Sequence, residues 1–427
     1  MTKSLLNIDH IARVEGHGNV HVVIEHDQVK TVEMNIVEPA RLFESMVRGH
    51  SYKDCSYIAS RICGICSPSH CITDLKAVED AFGVEVTDRT KLIRELLVYG
   101  SYLQNHASHL FVFVVPDFIG QPSVFPLAER DPELFAQALE LKKLGNDLCT
   151  SVGGRSIHPI TAVVGGFTHE ISADEYLSFA RRMEEMIPFA KATVDLFSSF
   201  RITDIHTASD MLAMVEEDYY PVQSSNQLEL LDEGVVFDAH DFEDYLEEYE
   251  VPHSGSLFTR EKGSGKAVFT SALSRLNASW DHLSQEAKFA SAKAGLRPEE
   301  RNPMKNNLAQ AIEILDALIR CSGICRELAK FEGSSKPVPY QVKAGVGVGM
   351  TEAPRGVVFH KLEFDADGKV VHASIITPTA QNLASLENDT RHLAEVLVES
   401  GLGEEHIRSE IAKLVRAYDP CLSCSVH

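Results

Sequence analysis

Two short cysteine pairs, one near each end of the chain, set the strongest constraint on its fold. "CGIC" occupies positions 63–66 and "CLSC" positions 421–424 of the 427 residues. Together the pairs offer four thiolates, a soft donor set that suits nickel, iron or zinc. If one centre binds all four, both ends of the chain have to meet at one buried site. The two pairs therefore predict a metal site, and their spacing leaves the metal open.

Two other interpretations of the pairs stay open on spacing alone. A structural four-cysteine zinc site usually separates its pairs by about 15–20 residues, so a zinc here would fasten the two ends of a large chain. A redox dithiol needs only one pair, and no thioredoxin-like βαβ pattern surrounds either. The nine cysteines are an odd number, which indicates ligand or catalytic thiols in a reducing compartment. We interpret Cys321 and Cys325, one helical turn apart beside apolar residues, as core thiols.

The acidic composition disfavours negatively charged binding partners. A net charge of −22, from 62 acidic and 40 basic side chains, disfavours binding to nucleic acid or to an anionic membrane. Hydrophobic residues make up 44% of the chain, enough for a large core. No apolar run is long enough to span a membrane, and the first residues lack the charged-then-apolar order of a signal peptide. We therefore expect a soluble protein without an export signal.

The residues after the first pair predict a helix that begins at the cysteines. Ser67 is a good N-cap, Pro68 is a good first helical residue, and Gly83 ends the apolar period. Cys66 would then lie at a helix N-terminus, where the partial positive charge favours the thiolate. His70 follows Cys66 by four residues and so lies on the same face.

The rest of the chain is predicted to be mostly helical. An apolar stripe from Ile407 to Tyr418 predicts a helix that Asp419-Pro420 ends, which puts the second cysteine pair in an irregular tail. "GVGVG" at 345–349 lacks the βαβ context of a nucleotide loop, so we interpret it as backbone packing. An acidic surface lobe or long loop is expected at about 221–266. Alternation predicts hairpins at 19–36 and 356–377, and long apolar periods predict helices at 89–115, 172–200 and 302–331.

Six segments, taken in order, resemble one protein family. "RICGICSPSH" and "DPCLSCSVH" look like the two signature motifs of the large subunit of nickel–iron hydrogenases. "RVEGHG", "GGRSIHPITAVVGG", "TEAPRG" and "TPTAQN" resemble other blocks of that family. The comparatively short chain looks most like the cytoplasmic, multi-subunit branch. The resemblance implies an α+β, mostly α fold, with one domain over 1–427 built as a long-helix bundle with small peripheral antiparallel β-sheets.

The resemblance implies a nickel–iron centre with carbon monoxide and cyanide ligands on the iron. It gives Cys63 and Cys421 as terminal nickel thiolates, and Cys66 and Cys424 as thiolates that bridge nickel to iron. His70 matches a donor to a bridging sulfur, in keeping with its place on the helix face.

Further positions match residues around that centre. Arg355 would lie over the open side of the metals, Pro354 would line the diatomic ligands, and Thr379 would hydrogen-bond a cyanide. Asp117 and Asp419 match carboxylates that surround the arginine. Such partners are needed, because an unpaired buried guanidinium costs about 3–5 kcal/mol.

The end of the chain implies a second metal site. In the family the last histidine, a glutamate and a backbone carbonyl hold a hard metal ion with waters, and His427, Glu44 and the carbonyl of Ile375 are the matching positions. Such a shell suits magnesium or ferrous iron. Family precursors lose a C-terminal extension to a maturation endopeptidase behind this histidine, so an end at His427 resembles the mature form.

The implied reaction is the reversible oxidation of dihydrogen to protons and electrons. Splitting dihydrogen heterolytically needs a soft metal and a base within hydrogen-bond reach. The resemblance implies that the proton passes to the Cys421 sulfur and then to Glu15, the family's proton gate. Arg355 would supply a fixed positive charge or the base itself. Nothing local in "RVEGHG" would reveal the role of Glu15.

The implied partners follow from what the chain lacks. No cysteines remain in iron–sulfur patterns, so a separate iron–sulfur small subunit is implied, with further flavin or NAD(P)-binding subunits. The acceptor stays open between NAD(P), a deazaflavin, ferredoxin and a disulfide reductase. His106 and His109 are interpreted as helix-packing or proton-path residues, and His158 as facing the electron-transfer partner.

Two non-catalytic alternatives remain. The quinone-module subunit of respiratory complex I resembles this fold but has lost the four cysteines, and their presence here argues against that role. A zinc-fastened scaffold protein is the other alternative, which the identity of the bound metal would separate from a hydrogenase.

Overall fold

Helices make up most of the regular structure. The computed structural model describes residues 4–8 and 11–427. Within those residues, no helix has both the length and the apolar character needed to cross a membrane. The helices are α1 Phe43–Val47, α2 Tyr52–Ala59, α3 Ser67–Phe82, α4 Asp88–Ala107, α5 Val115–Phe118, α6 Phe125–Arg130, α7 Pro132–Gly153, α8 Ala173–Ser198, α9 Phe242–Tyr245, α10 Ala272–Ser279, α11 Gln285–Lys293, α12 Asn306–Leu328, α13 Pro378–Glu399 and α14 Glu404–Ala417.

The strands are short and form small sheets. They are β1 Ser4–Ile8, β2 Gly18–Glu25, β3 Gln28–Ile36, β4 Ala162–Val163, β5 Gly166–Phe167, β6 Asp210–Val215, β7 Gln227–Leu230, β8 Val235–Asp238, β9 Leu246–Tyr249, β10 Phe258–Glu261, β11 Val268–Phe269, β12 Gly345–Ala353, β13 Gly356–Phe364 and β14 Val370–Ile376. β1-β2-β3 and β12-β13-β14 are antiparallel sheets, as are the pairs β4–β5 and β9–β10. The four-stranded sheet has the order β11-β6-β7-β8, in which β11 runs parallel to β6.

The predicted elements are present. β2 and β3 form the first hairpin around His26 and Asp27, whose positive φ angles suit a tight turn. β13 and β14 form the second hairpin, and each hairpin gains one further strand. α4, α8 and α12 lie in the three predicted helical segments, and a π-helical turn at Ser108–Val114 continues α4. The expected α+β, mostly helical fold is therefore confirmed.

α12 is the central helix. Every side chain from Asn306 to Leu318 is buried, and the helix packs against α4 and α8. Cys321 and Cys325 are buried on the same helix, as expected of core thiols. Burying one Leu or Ile side chain stabilises a fold by about 1.5–3 kcal/mol, so a helix that is enclosed on all sides belongs in the middle of the bundle.

The two ends of the described chain meet in the core. The largest hydrophobic cluster includes residues from Leu6 to Val426. Glu15 forms an isolated parallel bridge with Cys421, and the Leu422 N–H donates to the Glu15 carbonyl oxygen at 2.9 Å. The two cysteine pairs predicted this meeting of the ends.

Two glycines let β12 lie directly on α3. A Cβ added at Gly347 would meet the Ala77 carbonyl oxygen at 2.0 Å, and one added at Gly349 would meet the Thr73 carbonyl oxygen at 1.9 Å. No side chain larger than hydrogen fits at either position. The "GVGVG" segment is therefore backbone packing, and it joins the sheet that ends beside the cysteines.

We expect Gly349→Ala to destabilise the protein, because α3 and β12 would have to separate. Overpacking of this kind usually lowers the free energy of unfolding by about 1–3 kcal/mol. Gly323→Ala on the exposed face of α12 is the matched control, since its added Cβ meets nothing within 4 Å; it should gain up to about 1 kcal/mol from helix propensity. Thermal unfolding followed by circular dichroism compares the two. Equal melting temperatures would contradict the close packing.

α3 begins one residue earlier than the sequence suggests. Its N-cap is Cys66 rather than Ser67, and Pro68 lies in the first turn. Ser67 does not cap the helix, and its Oγ accepts a hydrogen bond from the His158 N–H at 2.8 Å instead. Gly83, with a φ of 68°, ends the helix as expected.

The acidic stretch at 221–266 is folded. It contains β7 to β10 and α9, and its apolar side chains Phe242, Leu246 and Phe258 are buried. The acidic residues that suggested a loop therefore alternate with residues that pack inward, and composition alone hides that alternation.

Candidate metal centre

The four cysteines of the two pairs lie together and are buried. The sulfur atoms of Cys63, Cys421 and Cys424 all lie within 4.8 Å of one another, and the Cys63 and Cys421 sulfurs are 3.7 Å apart. The Cys66 N–H donates to the Cys63 sulfur at 3.1 Å. The sulfur atoms of Cys421 and Cys424 lie in direct contact. Thiolates are the form in which cysteines bind a metal.

The first pair is set up to carry a thiolate. Burial raises the pKa of Cys63, but the hydrogen bonds from Cys66 and the charge of Arg355 outweigh burial, so its pKa lies below the ordinary value. The hydrogen bond to Cys63, together with burial, raises the pKa of Cys66. Cys63 is therefore the thiol of this pair that ionises first.

Arg355 lies near the first cysteine pair and is held by Asp419. Its Nε donates to the Asp419 carbonyl oxygen at 2.6 Å, and its Nη2 donates to Asp419 Oδ1 at 3.1 Å. Asp419 has a φ of 49°, which turns both its carbonyl and its carboxylate toward the guanidinium. Asn105 and Gln310 donate to the other carboxylate oxygen, at 2.8 and 3.1 Å. The expected pairing of Arg355 with Asp419 is thus present.

Asp117, which the resemblance puts among the carboxylates around Arg355, makes its ion pairs with two other arginines. It pairs with Arg13 and with Arg416, whose Nε and Nη2 donate to its carboxylate at 2.5 and 2.8 Å. A π-helical turn, Ser108–Val114, separates α4 from α5, the short helix that carries Asp117. Asn105, in the last turns of α4, takes the place beside Asp419.

Glu15 reaches the second cysteine pair directly. Its Oε2 lies 3.0 Å from the Cys421 sulfur. The Ser423 N–H donates to the same oxygen at 3.2 Å, and the Ser423 hydroxyl donates to Oε1 at 2.6 Å. Gly16 follows at a φ of 82°, and a Cβ there would meet the Ser423 nitrogen at 2.8 Å. Residue 16 therefore has to be glycine for the Glu15 carboxylate to lie this close to Cys421 and Ser423.

Thr379 and Pro354 border the same cluster. The Thr379 Oγ1 accepts the Cys421 N–H at 3.0 Å, which leaves its own hydroxyl proton free to donate elsewhere. The Pro354 carbonyl oxygen accepts from Arg275 Nη2 at 2.9 Å. Arg275 also donates to the Ala353 carbonyl oxygen at 3.0 Å, so it fixes the backbone that leads into Arg355.

Arg275 belongs to a buried charge network that the sequence did not reveal. Its Nε donates to Glu313 Oε1 at 2.6 Å and its Nη1 donates to Glu352 Oε2 at 3.0 Å. Burial raises the pKa of Glu313, but the charge and hydrogen bonds of Arg275 and His106 hold it down at about 2. Tyr220 also donates to Glu313, at 2.6 Å. The only sequence signal was a charged residue inside an apolar helical period, which many surface helices share.

His106 and His109 pack the helices together rather than forming a second ligand group. His106 Nε2 lies 2.9 Å from Glu313 Oε2. His109 bridges Gln310 on α12 and the Arg416 carbonyl oxygen at the end of α14, each at 2.6 Å. Both rings are buried, so their polar atoms have to be paired in this way.

Glu44, Ile375 and His427 meet at the end of the chain. The Glu44 carboxylate accepts the Ile375 N–H at 2.8 Å, and His427 Nδ1 lies 3.2 Å from the Cys424 carbonyl oxygen. Burial lowers the pKa of His427, while Glu44 and the carbonyl oxygens of Cys424 and Ile375 act against that shift. One imidazole, one carboxylate and carbonyl oxygens therefore surround the same point, a donor set that accepts a hard divalent ion.

The donors and the unpaired polar atoms fit a thiolate-bound metal centre. His70 lies with Cys66 and Cys424 in a second group whose ligand atoms are within 4.8 Å of one another. Among the residues described, His70 Nε2 and Arg355 Nη1 are buried without a hydrogen-bond partner. Buried polar atoms without partners are costly, so two of them beside four cysteine sulfurs indicate a site built for a further group.

Comparisons with known proteins agree with this site. A sequence model of the family described as "Nickel-dependent hydrogenase" matches residues 41–134 and 291–427. Over 427 residues the chain is 35% identical to sulfhydrogenase 1 subunit alpha of Pyrococcus furiosus, covering 99% of this chain and 97% of that one. It is 33% identical over 423 residues to sulfhydrogenase 2 subunit alpha of the same organism, covering 99% of both. Its structure resembles that of an NAD⁺-reducing NiFe hydrogenase in the H2-reduced state, with a TM-score of 0.87, 27% identity and 100% of both chains covered.

The fold and the buried sulfurs define a metalloenzyme subunit of the hydrogenase type. The chain belongs to the nickel-dependent hydrogenase family. It is the catalytic subunit of a nickel–iron hydrogenase, an oxidoreductase that acts on hydrogen, and has the fold of the large subunit. The relatives are named alpha subunits, which agrees with an enzyme of several subunits.

Proposed function

We propose that the chain oxidises dihydrogen reversibly at a nickel–iron centre held by Cys63, Cys66, Cys421 and Cys424. The observation that carries this proposal is the buried group of cysteine sulfurs with the Glu15 carboxylate 3.0 Å from Cys421. This arrangement brings a soft donor set and a proton acceptor into one site. The zinc scaffold gives no reason for a carboxylate in contact with a ligand sulfur.

The protein's own groups handle the proton. When bound, the centre supplies a soft Lewis acid at which dihydrogen is polarised. The Cys421 sulfur takes up the released proton, and Glu15 receives it across the 3.0 Å contact. Ser423 holds the Glu15 carboxylate in position through two hydrogen bonds. From Glu15 the proton leaves toward the protein surface.

Arg355 and its neighbours shape the open side of the site. Arg355 keeps a positive charge there, because the charge of Asp419 and the nearby cysteines raises its pKa despite burial. Carbon monoxide and cyanide on the iron would face Pro354 and Thr379, and Arg355 Nη1 and the Thr379 hydroxyl have hydrogens free to donate to a cyanide nitrogen. Asp419 balances the positive charge of the arginine.

We assign the second metal to Glu44, His427 and the carbonyl oxygen of Ile375. A shell of carboxylate, imidazole and carbonyl suits magnesium or ferrous iron. The residues lie next to the Cys424 carbonyl oxygen, so an ion there would fasten the end of the chain against β14.

Electrons leave through an iron–sulfur small subunit. The remaining cysteines, Cys55, Cys71, Cys149, Cys321 and Cys325, are buried thiols that form no metal group among the described residues. His158 is half-buried between the exposed side chains of Ile157 and Ile160, on the loop that contacts Ser67 at the start of α3. This loop therefore connects the surface to the first cysteine pair, and we propose that the small subunit docks there.

The assembly is proposed to be cytoplasmic, with the whole of 1–427 acting as one domain. Further flavin or NAD(P)-binding subunits would pass the electrons to NAD(P), ferredoxin or a deazaflavin. The similarity to a structure named for NAD⁺ reduction favours NAD(P) among these acceptors.

Isotope exchange tests the function directly. The purified complex is supplied with D2 in ordinary water, and HD in the gas phase is followed by mass spectrometry. We expect the wild-type complex to form HD, because heterolysis and proton exchange need no electron acceptor, and the Cys63→Ser complex to form none. A nickel-loaded wild-type complex that forms no HD, or a Cys63→Ser complex that still does, would contradict the proposal.

A further inference from the structure

Three buried side chains form a hydrogen-bonded chain that leads away from the cysteines. His70 Nδ1 lies 3.2 Å from His360 Nε2, and His360 Nδ1 lies 3.3 Å from Asp74 Oδ1. All three side chains are fully buried. His70 and Asp74 lie one turn apart on α3, and His360 reaches them from β13. The proton path from Cys421 to Glu15 does not use them.

Each end of this His70–His360–Asp74 chain has an unpaired atom. Among the described residues, Asp74 Oδ2 and His70 Nε2 have no hydrogen-bond partner. A ring nitrogen of His70 lies within 4.8 Å of the Cys66 and Cys424 sulfurs. Since Nδ1 is taken by His360, Nε2 is the nitrogen left for a sulfur. The hydrogen-bonded side chains therefore connect the cysteine sulfurs to Asp74.

We propose that Asp74 is a positioning residue: as a protonated carboxylic acid, it orients the chain so that His70 presents an Nε2–H to the Cys66 and Cys424 sulfurs. The inference rests on the proposed metal-binding role of these two cysteines. It goes further by assigning a role to Asp74 and His360, which touch no cysteine sulfur themselves.

Hydrogen-bond direction follows from the protonation of Asp74. As a carboxylate, Asp74 would accept from His360 Nδ1–H, and His360 Nε2 would accept from His70 Nδ1–H. A neutral His70 would then carry no proton on Nε2. With a proton on Asp74, the direction reverses, each group donates toward the cysteines, and the whole chain is neutral. The tautomer of a buried histidine is fixed in this way by the bond of its other nitrogen.

The absence of a compensating charge near Asp74, within the part of the chain that the structure describes, favours the arrangement in which Asp74 is protonated. Burial raises the pKa of Asp74 to about 8, and no cation lies against it to offset the burial. Burial also holds the pKa of His360, the ring that bonds to Asp74, at about 3, so this ring supplies no positive charge. Cys55 and Cys71 face Asp74 as well, and their raised pKa values leave both thiols neutral. A carboxylate would be an uncompensated buried charge.

The hydrogen bond from His70 Nε2–H would change the electron density on the ligand sulfur. A hydrogen bond to a thiolate withdraws electron density from the sulfur, and outer hydrogen bonds of this kind orient ligands and adjust the metal. Without the Nε2–H, the sulfur would donate more density to the metal, and diatomic ligands on iron would vibrate at lower frequency. The infrared band positions of these ligands therefore report the direction of the hydrogen bonds from Asp74 to His70.

The test compares Asp74→Asn with Asp74→Leu in the purified complex, after its nickel content has been measured. Asn can still donate from its amide to His360 Nδ1, whereas Leu, of similar size, cannot. We expect Asp74→Leu to lower turnover by about 10–100-fold and to shift the infrared bands of the diatomic ligands to lower frequency. Asp74→Asn should keep the wild-type band positions and lose only the carbonyl band of a protonated carboxyl group.

Thr73→Val is the matched control. Thr73 is the buried neighbour of Asp74 on α3, and its hydroxyl bonds to the Thr351 hydroxyl at 2.6 Å and not to His70, His360 or Asp74. The infrared bands of the Thr73→Val complex should therefore not shift. Shifted bands in Asp74→Asn, or unshifted bands in Asp74→Leu, would overturn the proposal. If Asp74→Leu does not fold, Asp74→Asn decides alone. A wild-type complex without nickel or diatomic bands would instead contradict the proposed function, whatever the variants show.

Discussion

Glu15→Gln should remove most hydrogen turnover and leave the metals in place. Turnover should fall by about 10²-fold or more, because a positioned acid–base group contributes about 10²–10⁴. Glu15 Oε2 lies 3.0 Å from the Cys421 sulfur, and a glutamine amide cannot take up the proton that this sulfur releases. Hydrogen-dependent dye reduction by the purified complex measures the turnover, alongside nickel content.

Two variants separate proton transfer from structure. Glu38→Gln is the control, since Glu38 accepts from the His17 N–H and contacts no cysteine; it should keep full turnover. Ser423→Ala removes one of the two hydrogen bonds that Ser423 gives to Glu15 and should produce a smaller loss than Glu15→Gln. Loss of nickel from the Glu15→Gln complex would contradict the role of Glu15 in proton transfer.

Arg275→Met should strongly destabilise the large subunit. It would leave the buried carboxylates of Glu313 and Glu352 without their cation, and breaking a buried ion pair in this way costs about 3–5 kcal/mol. Arg275 also holds the Ala353 and Pro354 carbonyl oxygens, so turnover should fall as well. Calorimetry of the purified complex should show a lower melting temperature for the transition of this subunit.

An exposed ion pair provides the comparison for Arg275. Arg182 pairs with Asp147 at 2.8 Å on the protein surface, and exposed pairs contribute about 0–1 kcal/mol. Arg182→Met should therefore melt close to wild type. Adding Glu313→Met to Arg275→Met should recover part of the loss, because one of the two orphaned charges disappears. Equal melting temperatures for Arg275→Met and Arg182→Met would refute a structural role for the buried network.

The sequence predicted the elements and the meeting of the ends for physical reasons. Alternation and helical periods are local signals, so the two hairpins and the helices α4, α8, α12 and α14 could be placed from them. Four cysteines in two distant pairs are a tertiary signal, because one metal needs all of its ligands in one place. The N-cap of α3 was one residue off, since Ser67 bonds to the distant His158 backbone.

The polar residues around the cysteines could not be placed from local pattern. Glu15 and Arg355 entered through resemblance alone, and their contacts come from residues far away in sequence. Asp117 also entered through resemblance, and its partners Arg13 and Arg416 lie far from it in sequence. Arg275 and Glu313 lie on different helices, so only the packed fold brings them together.

The metal content of the purified complex decides whether the four cysteines hold nickel and iron. Nickel, iron and zinc are measured together by plasma mass spectrometry, in protein produced alongside its maturation machinery. We expect about one nickel for each large subunit and iron in excess of what the partner's clusters require, because four soft thiolates at one site select such metals. Zinc without nickel would mean that the cysteines form a structural site, and the proposed chemistry at Cys421 and Glu15 would be wrong.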